Sequence, residues 1–406
     1  MRVAITGMGI VSCLGTSLDE VSAALRAGKS GVVVDPVRVE LGFRSPLTGA
    51  IRNYDPRAYV NRKQVKTMGL PAQFAIGAAV EAVRDAGLAP EALNSGTAGI
   101  IVGNDSCAQP VGEAIASVRE HKETRQIGSG SIIQVMNSTV TMNLSTFFGI
   151  RGAAWTLSAA CASGAHAIGQ GLLLIKSGMQ DVMLCGGAQE ISWEGMASFD
   201  ALGAFARNEG DPTAACRPFD KNRTGLVPSG GSAMLVLERL DRAVARGARV
   251  YAELVAYGFS NDGDHLTQPS GDGAARAMRE ALRQAKRAPD EVEYINAHAT
   301  GTSAGDRVEG RSILGVFGGK SPPVSSTKSM TGHECWMAGA SEVVYSLLMM
   351  RDGVLAPNIN LDRVDPALEG LNVIGTTRAV RPRVVLSNSF GFGGTNASLL
   401  IEAVEA

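Results

Sequence analysis

Apolar and polar positions along this chain fall into two alternating patterns. Short apolar runs of strand length occur at residues 99–103, 181–184 and 383–386, as expected of strands in buried sheets. Between such runs lie stretches with apolar residues at three-to-four spacing. The one at residues 72–86 stops before Gly87, a residue suited to a left-handed helix terminus. Strand-like and helix-like segments follow one another throughout, which predicts an α/β fold. No Pro-rich, Ser-rich or like-charge linker interrupts them, and no apolar run approaches the roughly 20 residues of a membrane span.

The pattern also repeats. Residues 162–178 and 337–353 are apolar helical stretches in which Gly164 matches Gly339, Ala165 matches Ala340, Leu172-Leu173 match Leu347-Leu348, and Gly178 matches Gly353. Lys176 and Arg351 lie in the two final turns, where a cation suits the helix dipole. A second echo comes in the same order: Gly230-Gly231-Ser232-Ala233 with a strand ending at Glu238, and Gly393-Gly394-Thr395-Asn396 with a strand ending at Glu402. The chain is therefore expected to be two copies of one α/β half, residues 1–245 and 246–406. Both repeated helices start with small residues, which permits a close helix crossing. Cys161 and His333 precede equivalent helices, so they are expected to meet near a pseudo-twofold axis.

Composition narrows the picture. A net charge of −1 over 406 residues speaks against a nucleic-acid partner. With 45% hydrophobic and 19% charged residues, a largely disordered chain is excluded. The 49 glycines exceed the usual share of about 7% without a collagen period, and point to tight turns and close backbone approaches. Six cysteines (Cys13, Cys107, Cys161, Cys185, Cys216, Cys335) are scattered with no C-x-x-C, which predicts reduced thiols and no metal site. Residues 1–7 run directly into a strand-like segment, so a cytoplasmic protein without membrane attachment is expected.

Three motifs imitate known sites. Thr6-Gly7-Met8-Gly9-Ile10-Val11-Ser12 approaches a dinucleotide fingerprint, but Ser12 stands where the third Gly or Ala belongs. Gly318-Gly319-Lys320-Ser321 resembles the end of a phosphate-binding loop, but Leu314 replaces its first Gly. Gly301-Thr302-Ser303-Ala304-Gly305 matches a nucleophile elbow, with a helix expected over residues 307–317. The only later histidine is His333, which compresses such a triad awkwardly and leaves the duplicated half unexplained.

A better constellation joins Cys161, His298, Lys328, His333 and residues 390–396. Cys161 opens a helix, where the positive dipole end favours thiolate. Alone it would be an inert core thiol, and a lone histidine beside Gly, Thr or Ala would be structural. Two such histidines with a cysteine at the mirror-related helix start point to a Cys/His/His site. His121, His166 and His265 are expected to be surface or packing residues.

From end to end the chain resembles the β-ketoacyl-[acyl-carrier-protein] synthases, the elongating condensing enzymes of bacterial fatty acid synthesis. The resemblance rests on residues 3–12, Ser158-Ala159-Ala160-Cys161-Ala162-Ser163-Gly164, His298-Ala299-Thr300-Gly301-Thr302, Lys328-Ser329-Met330-Thr331-Gly332-His333 and Ser387-Asn388-Ser389-Phe390-Gly391-Phe392-Gly393-Gly394-Thr395-Asn396. It implies a thiolase-like fold, two βαβαβαββ halves in five α-β-α-β-α layers, and a homodimer. It assigns Cys161 to hold the acyl chain as a thioester, and His298 and His333 to stabilise the enolate from malonyl-acyl-carrier protein. Lys328 corresponds to the family's active-site lysine and Glu309 to its acidic partner. The backbone N–H groups of Cys161 and Phe392 form the oxyanion hole, with Phe392 also a gate. Thr300 and Thr302 bind the phosphopantetheine arm, which arrives on the carrier protein, so no cofactor is implied. The cations Arg62, Lys63 and Lys66 are candidates for docking an acidic carrier protein.

The chain departs from the family in places. Ser303 replaces a loop proline, and Glu334-Cys335-Trp336-Met337 replaces a small, Gly-rich run after His333. Asn104-Asp105-Ser106-Cys107 replaces a Gly-rich segment near the end of the acyl tail. Trp336 and Cys107 are thus candidates for the acyl pocket, and chain length and saturation stay open. So do a polyene or polyketide ketosynthase and a non-catalytic chain-length partner of a heterodimer.

Overall fold

The computed structural model describes residues 1–207 and 210–404. Ten strands form its main sheet: β1 (Val3–Val11), β2 (Ala98–Gly103), β3 (Ala154–Leu157), β4 (Val182–Gln189), β5 (Gly231–Arg239), β6 (Ala252–Asn261), β7 (Tyr294–Asn296), β8 (Val324–Ser325), β9 (Val384–Phe390) and β10 (Thr395–Glu402). Their order is β8-β7-β9-β10-β6-β1-β5-β4-β2-β3. Read outward from the centre, each half places its first, fifth, fourth, second and third strands in turn, so the duplication is topological as well as sequential. The two half-sheets join where β1 and β6 pair through Ala4 with Glu253 and Ile5 with Ala252.

Five helices complete the layers: α1 (Leu70–Asp85), α2 (Ser163–Lys176), α3 (Asp272–Ala285), α4 (Ser303–Val316) and α5 (Ala338–Asp352). α2 and α5 lie between the two half-sheets and contact both, while α1 covers the first half and α3 the second from outside. Three apolar cores fill the spaces between these layers. No described helix is long and apolar enough to cross a membrane.

Glycines set the layer spacings. A Cβ on Gly9 would lie 2.1 Å from the Ala78 carbonyl oxygen, and one on Gly258 would lie 2.0 Å from that of Ala277. Here β1 seats α1, and β6 seats α3, by the same device in each half. The glycines of the dinucleotide-like motif are therefore strand residues under a helix, with no loop to cradle a phosphate. In the centre, a Cβ on Gly339 would lie 2.6 Å from Ala165 Cβ, which explains the small residues at the repeated helix starts.

Sequence and structure differ at α4, which begins at Ser303, four residues before its expected start. The run Gly301-Thr302-Ser303 has turn composition. Asp306, however, accepts the backbone N–H groups of Gly301 (3.1 Å) and Phe219 (2.8 Å) and locks the first turn in place. Ser303 is exposed there, outside the cavity wall, so it is no elbow nucleophile.

Candidate active site

Strands β2, β3 and β4 are parallel, as are β7, β8 and β9. Cys161 follows β3, His298 follows β7, Lys328 and His333 follow β8, and Phe392 follows β9. The chemistry therefore collects beyond the carboxyl ends of parallel strands, where such sheets leave a crevice.

Cys161 sits in a one-turn 3₁₀ segment, Ala160–Ala162, that leads into α2. Ala160 has φ +45°, a left-handed conformation that costs a non-glycine residue energy. Its N–H donates to Asp105 Oδ2 at 3.0 Å, which helps hold the turn. The duplicated half repeats this shape: Cys335 also has φ +45° and opens the 3₁₀ segment Cys335–Met337 before α5. Trp336 thus occupies the place that Cys161 holds in the first half.

The thiol is not the thiolate that a helix start alone would favour. Burial pushes Cys161 up to about 12, against the pull of the Lys328 charge and the backbone N–H groups of Phe392 and Cys161 itself. Desolvation outweighs those three, so burial favours the protonated thiol over the thiolate.

His298 and His333 meet edge to face with ring centroids 5.2 Å apart. Both are held well below the ordinary histidine value, first by burial and then by the nearby Lys328 charge. Both are therefore neutral near pH 7 and each offers one N–H. Lys328 Nζ lies 3.5 Å from His298 Nδ1, so its proton favours the His298 tautomer with hydrogen on Nε2. His333 Nδ1 is buried without a hydrogen-bond partner among the described residues.

The carboxylate assigned to Lys328 needs correction. Lys328 pairs directly with Glu342, and both side chains are fully buried. Glu309 instead accepts the backbone N–H groups of His298 (2.9 Å) and Ala299 (2.7 Å) and Asn388 Nδ2 (3.3 Å). It fixes the chain that carries His298. Burial raises Glu309 to about 7 and Glu342 to about 8. Glu342 was legible: a single carboxylate within the apolar run of α5 requires a buried cation.

Cys161, His298 and His333 line one cavity of about 320 Å³. Thr300 and Thr302 line it too, their hydroxyls 3.2 Å apart. Phe392, partly exposed at its wall, stacks on Phe199 at 6.0 Å. A Cβ on Gly391 would lie 2.9 Å from the Ala159 carbonyl oxygen and 3.2 Å from Cys161 N, so glycine lets this loop lie close beside the cysteine. His265, expected on the surface, is exposed but also lines the cavity; its Nδ1 accepts the N–H groups of Thr267 and Gln268, each at 3.1 Å. His166 is a packing residue as expected, bridging Tyr257 and Thr395.

The remaining candidates separate. Trp336 packs in an apolar cluster with Cys161, Met196, Phe205, Leu226 and Cys335. Cys107 is buried beside Asn104, outside both that cluster and the cavity wall. Arg62, Lys63 and Lys66 are exposed on and just after the short helix Arg62–Val65, with no acidic partner among the described residues.

Known proteins match the chain over nearly all of its length. Residues 1–243 match the family model for the β-ketoacyl synthase N-terminal domain, and residues 251–362 that for the C-terminal domain. The chain is 42% identical to 3-oxoacyl-[acyl-carrier-protein] synthase 1 of Haemophilus influenzae, over 99% of this chain and 98% of that one. A crystal structure of a β-ketoacyl synthase from Burkholderia phymatum superposes with a TM-score of 0.94 at 38% identity, covering 100% of both chains. A type II polyketide ketosynthase, solved with its acyl-carrier protein and bound to the hexaketide, gives 0.91 at 29% identity over 100% of this chain and 99% of that one.

Proposed function

This chain belongs to the β-ketoacyl synthase family of acyltransferases, and we propose from that premise how its own residues lengthen a carrier-bound acyl chain by two carbons. The sulfur of Cys161 attacks the acyl thioester carbonyl and its proton passes to the departing carrier thiol. The backbone N–H groups of Cys161 and Phe392 hold the tetrahedral oxyanion. Malonyl-carrier protein then enters and its C–CO₂ bond breaks, leaving the electron pair as an enolate. N–H groups of the neutral His298 and His333 hold the enolate oxygen. The enolate carbon attacks the acyl-Cys161 carbonyl, a C–C bond forms as the C–S bond breaks, and the released thiolate takes up one proton from solvent, the net proton uptake of the condensation. These steps balance without a cofactor.

What carries this reading is a thiol and two neutral imidazoles on the wall of one cavity. Thr300 and Thr302 suit the polar phosphopantetheine arm, and Phe392 a gate that moves off Phe199. The exposed Arg62, Lys63 and Lys66 suit an acidic carrier protein in the cytoplasm. A homodimer through β3 is supported by the position of that strand at the end of the sheet and by exposed Trp155 upon it. Purified protein given acyl- and malonyl-carrier protein should release CO₂ and form a 3-oxoacyl product two carbons longer, read by mass spectrometry. Product formed only after a second synthase-like subunit is added would favour the chain-length-partner reading instead.

Because both histidines are held well below the ordinary histidine value, acidification through the usual range should leave their charge and their single N–H donors unchanged. The rate of malonyl decarboxylation is expected to hold as pH falls from 7.5 through about 6.5, the usual histidine value. An acid limb centred there would contradict the neutral pair. The pH–rate profile of decarboxylation decides it.

A further inference from the structure

We propose that Trp336, tied to Ser106, sets the length of the acyl chain that Cys161 accepts and restricts it to short chains; this rests on the condensing reading above. Cys161 divides two unlike environments. On one side is the open cavity with Thr300, Thr302 and His265 in its wall, which suits a polar arm. On the other is the closed apolar cluster of Met196, Phe205, Cys335 and Trp336, none of which lines that cavity. Phe199 and Leu226 belong to both and form the partition. The cavity wall also carries Leu202, Leu266 and Val308, but the closed cluster is the environment shut from water, and hydrophobic burial follows the apolar area removed from water.

That side is already filled. The indole of Trp336 is almost wholly buried, and Phe199 packs against it at 6.4 Å, against Phe205 at 6.2 Å and against Phe392 at 6.0 Å. A phenylalanine can turn aside about two side-chain bonds, but Trp336 is held at both ends. Its Nε1–H donates to Ser106 Oγ at 3.1 Å. Its backbone is wedged at the helix crossing: its carbonyl oxygen lies 2.7 Å from where a Cβ on Gly187 would sit, and 3.1 Å from one on Gly164. The hydrogen bond also joins the two segments of unusual sequence, residues 104–107 and 334–337, into one wall. Cys107, the last residue of the first segment, takes no part in it. The chain end of a bound acyl group therefore meets Trp336, whereas Phe199 yields.

The test compares acylation of Cys161 by butyryl- and dodecanoyl-carrier protein, followed by intact-protein mass spectrometry over time. Unaltered protein should favour butyryl by at least about tenfold, since each misfitted methylene in an apolar pocket is worth roughly that much. Trp336→Leu should raise the dodecanoyl-to-butyryl ratio by about tenfold or more. Ser106→Ala, which removes only the tether, should raise it by less, and Trp336→Phe should leave it within about threefold. A ratio unmoved in both Trp336→Leu and Ser106→Ala overturns the proposal, as does equal acylation of the unaltered protein by both chains. Absence of any acyl adduct on the unaltered protein sinks the condensing reading itself, which keeps the two failures apart.

Discussion

Cys161→Ala is expected to stop acyl transfer, with the condensation rate falling at least about 10⁴-fold, the scale of removing a nucleophile that acts as one unit with its partners. No other thiol can stand in. Cys335 is itself pushed well up, first by burial and then by the nearby Cys161, and it faces the closed apolar cluster and not the cavity. Cys161→Gln separates the two half-reactions further. Its side-chain amide places a carbonyl near the N–H groups of Cys161 and Phe392, where the acyl thioester carbonyl would stand. The variant should therefore release CO₂ from malonyl-carrier protein while forming no longer product. Condensation by Cys161→Ala at anything near the unaltered rate would contradict the assignment.

His333→Ala should leave the first half-reaction largely intact and cripple the second. One enolate donor is lost, and loss of one such donor costs about 10²–10³ in rate. The substitution is clean in one respect: His333 Nδ1 has no partner among the described residues, so no second hydrogen bond is broken through it. His298→Ala removes the other donor and also strips Lys328 of its ring contact. The double variant should be little worse than either alone, because one remaining donor cannot hold the oxygen that two were placed to share. Acylation of Cys161 should stay within about tenfold, since its oxyanion is held by backbone N–H groups on different segments. The paired measurement is the acylation rate against CO₂ release in the same variants. An equal fall in both would mean that His333 positions Cys161 and does not serve the enolate.

Much of this arrangement was legible from pattern. The matched glycines of the two repeated helices predicted a close crossing, and Gly339 against Ala165 is that crossing. Cys161 at one helix start and His333 before the other could be placed together because duplication brings equivalent termini to one axis. What escaped the sequence depended on desolvation and long-range pairing. The helix dipole suggested a thiolate, but the cost of burying charge around Cys161 depends on neighbours from every layer. Glu342 stood out as a lone carboxylate in the apolar run of α5 and lies 14 residues from Lys328, yet the family resemblance credited Glu309 with the lysine. The dinucleotide-like glycines misled for the opposite reason: a spacing that suits a phosphate loop also suits a strand beneath a helix backbone. Trp336 was visible as a departure, yet only the fold shows Ser106 within reach of its indole.

The most direct test of the central claim is the mass of the protein after incubation with an acyl-carrier protein, with the modified peptide then mapped. One acyl adduct is expected, on Cys161, absent from Cys161→Ala and discharged on adding malonyl-carrier protein. An adduct that maps elsewhere, or one that malonyl-carrier protein leaves in place while product still forms, would contradict it.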